Sequence, residues 1–127
     1  MLDTNACIDF GLARSVRLRD RLEQAFDGGL AISTITLAEL SVGAKHPTAD
    51  PGDGRRLAML IQLVTVLDFD AVAAEDYGVL VRQVGVKRRS FDRLIAAHAR
   101  SRQLLLVTNN EADFSDVPHL RVENWTS

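Results

Sequence analysis

The chain has 127 residues, 46% of them hydrophobic and 25% charged, which suits one folded domain with a real core and excludes a disordered chain. A net charge of −2 argues against a general nucleic-acid binder, which is usually basic. No apolar run approaches the roughly 18 residues of a membrane helix, and the start MLDTN lacks the basic-then-apolar pattern of a secretory signal.

In chain order, the pattern predicts a very short strand ending at Asp3, then a helical segment from Ala6 to Phe26 that Gly11 can break and Gly28-Gly29 ends. Leu30 to Ser33 reads as a buried strand and Thr34 to Ala44 as a helix. His46 to Gly54, rich in Pro, Gly and Asp, reads as a loop between helices. Leu57 to Leu63 is helical, Thr65 to Phe69 a strand, and Ala71 to Val84 and Phe91 to Arg102 two further helices. Leu104 to Val107 is the clearest central strand. Asn110 to Phe114 forms one short turn, and Leu120 to Val122 an edge strand. Short apolar strands separated by helices imply an α/β fold, a parallel sheet covered on both faces. Ligands in such sheets bind at the carboxyl ends of the strands.

Four acids gather at that predicted edge: Asp3, Glu39, Asp92 and Asp113. A carboxylate at the end of a buried strand is costly unless it is paired, hydrogen-bonded or bound to a cation. Several converging carboxylates repel one another, and a hard divalent ion such as Mg²⁺ or Mn²⁺ resolves the repulsion.

Each acid also has a purely structural reading. Thr36 to Glu39 matches the T-x-x-E capping box, which on spacing alone favours helix initiation. An N-cap at Ser33 or Thr34 instead leaves Glu39 a turn inside the helix, free to face a site. Asp92 follows the cap candidate Ser90, where the helix dipole welcomes an acid. Yet Ile95, Ala96 and Ala99 place Asp92 on an apolar face. Asp113 is a first-turn acid after Asn110, with Glu111 and, less well placed, Asp116 as rivals. Asp3 is the hardest to explain structurally, although an Asx turn accounts for Asp3 or Asn5 locally.

The remaining residues offer less. Thirteen of the 15 basic residues are Arg, which suits bidentate phosphate contacts and equally suits a GC-rich genome. His98 reads as a half-buried, hydrogen-bonded core residue and the lone Cys7 as a small buried hydrophobe in a reducing, cytoplasmic setting. No zinc spacing, P-loop or serine triad is present. Trp125 is expected to pack the last segment down. Leu57 to Leu63 and Val16 to Phe26 offer apolar residues to a partner as readily as to the core.

The stretches LDTNACID, ISTITLAEL, FDRLIAAHA, LVTNNEADF and VPHLRVENW, from residue 2 to residue 125, resemble a PIN-domain protein of the VapC toxin type. The resemblance implies a single-domain three-layer α/β/α sandwich over residues 1–127. It implies a Mg²⁺-dependent endoribonuclease (Mn²⁺ as an alternative), a cytoplasmic homodimer, and a cognate VapB-type antitoxin as partner. It puts the acids of the catalytic and metal site on Asp3, Glu39, Asp92 and Asp113, the last where many relatives carry an acid at the place of Asn110. It assigns supporting polar roles to Asn5, Thr108, Asn109 and Asn110. Relatives often have a Gly- or Pro-containing loop before the third acid, where this chain has Lys87-Arg88-Arg89. Arg88, Arg89 and Arg93 are then candidates for contact with RNA phosphates, against the plainer reading of a solvated loop. Two rivals remain: a haloacid-dehalogenase-like phosphatase, disfavoured by Asn at position 5, and a degenerate PIN-like module that binds without cutting.

Overall fold

The computed structural model describes residues 1–11, 16–25, 29–44, 47 and 50–126. Helices α1 (Thr4–Gly11) and α2 (Val16–Ala25) precede strand β1 (Ala31–Ser33). Helices α3 (Thr34–Ala44) and α4 (Asp53–Leu63) lead to β2 (Thr65–Leu67). Then come α5 (Ala71–Val84), α6 (Asp92–Ser101), β3 (Leu106–Val107), a 3₁₀ turn (Glu111–Phe114) and β4 (Val122–Glu123). The expected end of the first helical segment at Phe26 and Gly28 lies outside the described residues, as does His46 in the expected loop.

The strands pair in parallel, β1 with β2 and β3 with β4. The first three residues join these pairs. Leu2 N–H donates to Ala31 O on one side (2.8 Å), and Asp3 N–H donates to Val107 O on the other (3.0 Å). Val107 N–H returns a bond to Met1 O (2.8 Å). The segment expected as a barely formed strand is therefore the centre of the sheet, which runs β2, β1, residues 1–3, β3, β4.

Strand residues alternate between two apolar clusters, as a period of two requires. Met1 and Leu106 pack with Leu80 of α5, Ile95, Ala96 and Ala99 of α6, and Phe114. Leu2 and Val107 pack with Ala6 and Cys7 of α1, Ile32, Leu60 of α4, and Trp125. The result is the expected sandwich, with a helical layer on each face of the sheet. Burying a Leu or Ile side chain fully stabilises by roughly 1.5–3 kcal/mol, so Leu80, Ile95 and Leu106, all fully buried, anchor one layer. Among the described residues no helix is long and apolar enough to cross a membrane.

Several local expectations hold in detail. Helices α3 and α5 match their predicted bounds. Helix α4 begins earlier than predicted, at Asp53, so Asp53 and Gly54 belong to it and not to the loop. Cys7 is buried, and desolvation pushes its thiol well above the usual range. Trp125 is buried, donates to Glu123 (2.8 Å) and lies under the Arg21 guanidinium, 4.9 Å from its ring centre.

His98 is more deeply placed than expected, fully buried in α6. Its Nδ1 lies 2.7 Å from Ser33 Oγ, and Phe69 meets its ring edge to face at 5.4 Å. Burial is the main cause that lowers its pKa from 6.5. The neutral ring is thus the folded form. Below about pH 6.5 the unfolded chain takes up a proton that the folded chain resists, so stability falls with falling pH until the folded value is passed. In urea unfolding, the stability of the native chain relative to His98→Gln should fall between pH 7.5 and pH 5, a difference that cancels the opposing contribution of other groups.

Candidate active site

The end of the central segment places Asp3 in the interior, with 3% of its surface exposed. The carboxylate accepts from Ala6 N–H (2.8 Å), which starts α1. Burial raises its pKa to about 6, hydrogen bonds from Thr108 and Ala6 oppose the rise, and the charges of Asp92 and Asp9 add to it. Asp3 therefore stands near other carboxylates with too few positive groups around it.

Glu39 is not part of a capping box. Helix α3 starts at Thr34, and Ser33 Oγ caps it by accepting from Ile35 N–H (3.0 Å). Glu39 consequently lies a turn inside the helix. There it accepts from Thr4 Oγ1 (2.7 Å), one residue beyond Asp3. The tie between α1 and α3 brings the second acid to the end of the central segment.

Asp92 opens α6, with its N–H donating to Ser90 Oγ (3.1 Å). Its carboxylate lies 3.7 Å from Lys87 Nζ. The same ammonium is 3.1 Å from Asp113 Oδ1 and donates to the Asp113 carbonyl (3.1 Å). Asn110 donates its side-chain amide to the Asp113 carboxylate. Thr108 is buried and its hydroxyl accepts from Asn110 N–H (3.0 Å). Asn109 donates to Asp9. Asn5 is exposed. Glu111 is also exposed, and Asp116 is engaged elsewhere.

Arg93 cannot serve as a phosphate contact. It is 7% exposed, and both guanidinium nitrogens donate to Asp116, each at 2.7 Å. Such a bidentate pair holds the Arg in a fixed direction. It clamps the first turn of α6 to the segment after the 3₁₀ turn. Arg88 and Arg89, in contrast, face solvent.

Sequence reading missed Thr4, Asp9 and Lys87. The hydroxyl in LDTN was a signal for Thr4, since a residue next to a buried acid shares its neighbourhood. Asp9 lies near the end of α1, and no motif or spacing singled it out. Lys87 was hidden in a charge run.

The donor chemistry suits a hard cation: the acids are carboxylates, and the nearby Cys7 thiol is buried and held protonated by desolvation. The side chains as they stand do not close a cage, since among the described residues no three Asp, Glu, His or Cys groups converge on one ion position. Glu39 is held by Thr4, and Asp92 and Asp113 by Lys87.

The PIN domain family model matches residues 1–120, and the chain belongs to that family. Within it, the chain is 39% identical over 132 residues to the tRNA(fMet)-specific endonuclease VapC of Shigella flexneri, covering 99% of this chain and 97% of that one. The structure of DNA-bound VapBC from Salmonella typhimurium matches with a TM-score of 0.88 and 35% identity over 98% of this chain and 96% of that one. A toxin-antitoxin complex from Klebsiella pneumoniae matches with a TM-score of 0.66 and 30% identity, covering 94% and 92%. The resemblance drawn from LDTN, TLAEL and FDRLIAAHA is thereby borne out.

The raised value at Asp3 has a definite sign. The folded chain binds this proton more tightly than the unfolded one, so stability falls as pH rises from 3.8 to about 6 and stays lowered above. In EDTA, Asp3→Asn should raise stability at pH 8 by roughly 2 kcal/mol. The advantage should shrink towards pH 4. Chemical denaturation at the two pH values checks this.

Proposed function

We propose that this chain is a metal-dependent endoribonuclease toxin of the VapC type that cleaves tRNA and is held inactive by a VapB-type antitoxin. What supports the reading is that buried Asp3 feels the charge of Asp92 while Thr4, its neighbour in sequence, holds Glu39, in a chain that matches an endonuclease along its whole length. The name of the Shigella relative makes initiator tRNA the first substrate to test.

Phosphodiester hydrolysis needs an activated water and stabilisation of the charge that develops on the phosphate and the leaving oxygen. A bound Mg²⁺ or Mn²⁺ supplies both by Lewis acidity. Asp3 and Asp92 are the carboxylates that would hold it, with Glu39 joining directly or through water. Asp113 borders the same site. Thr4 orients Glu39, and Thr108 hydrogen-bonds Asp3. Burial of Asp3 excludes bulk water from one side of the site, which strengthens every charge interaction there.

A cleft of about 260 Å³ supports the antitoxin reading. It is lined by Cys7, Ile8, Leu40, Leu57 and Leu60, with Glu39 on its wall. Met59 and Leu63 of α4 are exposed nearby. An apolar cleft that reaches a site carboxylate suits a partner that silences the enzyme. Val72 and Val79, exposed seven residues apart on α5, share a helix face and are the surface we assign to a homodimer.

Purified protein should cut initiator tRNA into discrete products with Mg²⁺ and leave it intact in EDTA. Asp92→Asn should lower the rate at least a hundredfold with an unchanged circular dichroism spectrum. Full activity in that folded variant would sink the assignment. No cleavage by folded native protein would favour the binding module that does not cut.

Arg88 and Arg89 should contribute phosphate contacts. The double variant Arg88→Ala/Arg89→Ala should weaken RNA binding and reduce the dependence of log K on log salt by roughly one per arginine. Arg93→Ala should instead lower the melting temperature, because it unpairs Asp116 and empties a buried position. Filter binding at several salt concentrations and thermal melts separate the two effects.

A further inference from the structure

Helix α5 ends at Gly85, whose φ of 82° and ψ of 170° form a backbone conformation that suits glycine and strains other residues. Its N–H still bonds Val81 O (2.8 Å). The chain leaves the helix there and carries the run Lys87-Arg88-Arg89 past the acid cluster. Both arginines point to solvent. The lysine alone turns inward, its side chain 29% exposed.

Its ammonium touches three oxygens of two acids. They are Asp113 Oδ1 at 3.1 Å, Asp113 O at 3.1 Å and Asp92 Oδ2 at 3.7 Å. An ammonium has three donors and no acceptor, so these contacts suit its bonding capacity. The Asn110 amide on Asp113 adds a further donor to that carboxylate. Asp113 is thus paired with a cation of the protein itself, while the contacts described for Asp3 are the hydrogen bonds from Ala6 and Thr108.

We propose that Lys87 is the resident second cation of this site. It holds Asp113, so the site takes one divalent ion and not two, and Asp113 is not a ligand of that ion. This rests on the metal-dependent reading above. A second divalent ion at Asp113 would have to displace the ammonium from three oxygens or sit beside it against strong like-charge repulsion. Lys87 acts here as a positioning residue through its fixed charge. The four acids are thereby served by one ion plus one lysine.

Manganese binding by the full chain, read from the electron paramagnetic resonance of free Mn²⁺ in low salt at pH 7.5, tests the proposal without relying on activity. The native chain should bind one Mn²⁺. Lys87→Gln should bind a second ion, or bind the first at least tenfold more tightly. Lys87→Arg, which keeps the charge, should bind one, as should Asp113→Asn. Two ions in the native chain would overturn the proposal, as would a folded Lys87→Gln with unchanged number and affinity. If Lys87→Gln does not fold, Asp113→Asn decides: an unchanged single ion supports the proposal, and loss of an ion overturns it. Absence of Mn²⁺ binding in the native chain would remove the metal reading and this inference with it. A single ion that ignores Lys87 removes the inference alone.

Discussion

A carboxylate fixed at the end of the central segment of the sheet is the constraint around which the site is built. Residues 1–3 are hydrogen-bonded to β1 on one side and to β3 on the other. Asp3 therefore cannot swing out to water without breaking the sheet. Its charge is costly where it stands, and the neighbours answer only part of that cost. Thr108 and the start of α1 donate hydrogen bonds, while Asp92 and Asp9 oppose them. A domain that keeps such a group does so against its own stability, as functional sites commonly do.

Glu39 and Asp92 are positioned by separate routes. Thr4, next in sequence to Asp3, takes hold of Glu39 and ties α1 to α3. The cap at Ser33 sets where α3 begins, and so which of its faces carries Glu39. The same hydroxyl meets His98 in α6. One small polar side chain thus links the end of β1, the start of α3 and the helix that Asp92 opens.

The regular elements were legible because their signals were local. The apolar period of α5 and the cap candidate before α3 gave their bounds, and LLLV marked β3. The sandwich followed from the alternation of short apolar runs with helices. What was not legible depended on direction. The spacing of Thr36 and Glu39 fits a capping box, but the Ser33 cap displaces it by three residues. Arg93 and Arg88 look alike in sequence, yet one is buried against Asp116 and the other is in solvent. Lys87 sits in a basic run of the kind that is usually solvated, and only the turn at Gly85 shows which member faces in. The acids themselves were found because apolar segments fix where strands end, whereas the partner of each acid is set by loops.

The Arg93–Asp116 clamp makes the two sides of the site unequal. The side that carries Asp92 and Asp113 is braced by that clamp and by Lys87 and Asn110. It behaves as a stiff jaw. Glu39 is tied by the hydroxyl of Thr4, and beyond it lies the apolar cleft. That side is the compliant jaw. Fitting of a bulky substrate therefore falls on α3, and so does any pressure from a partner seated in the cleft. A change in the cleft can alter grip on the substrate while the opposing jaw keeps its shape.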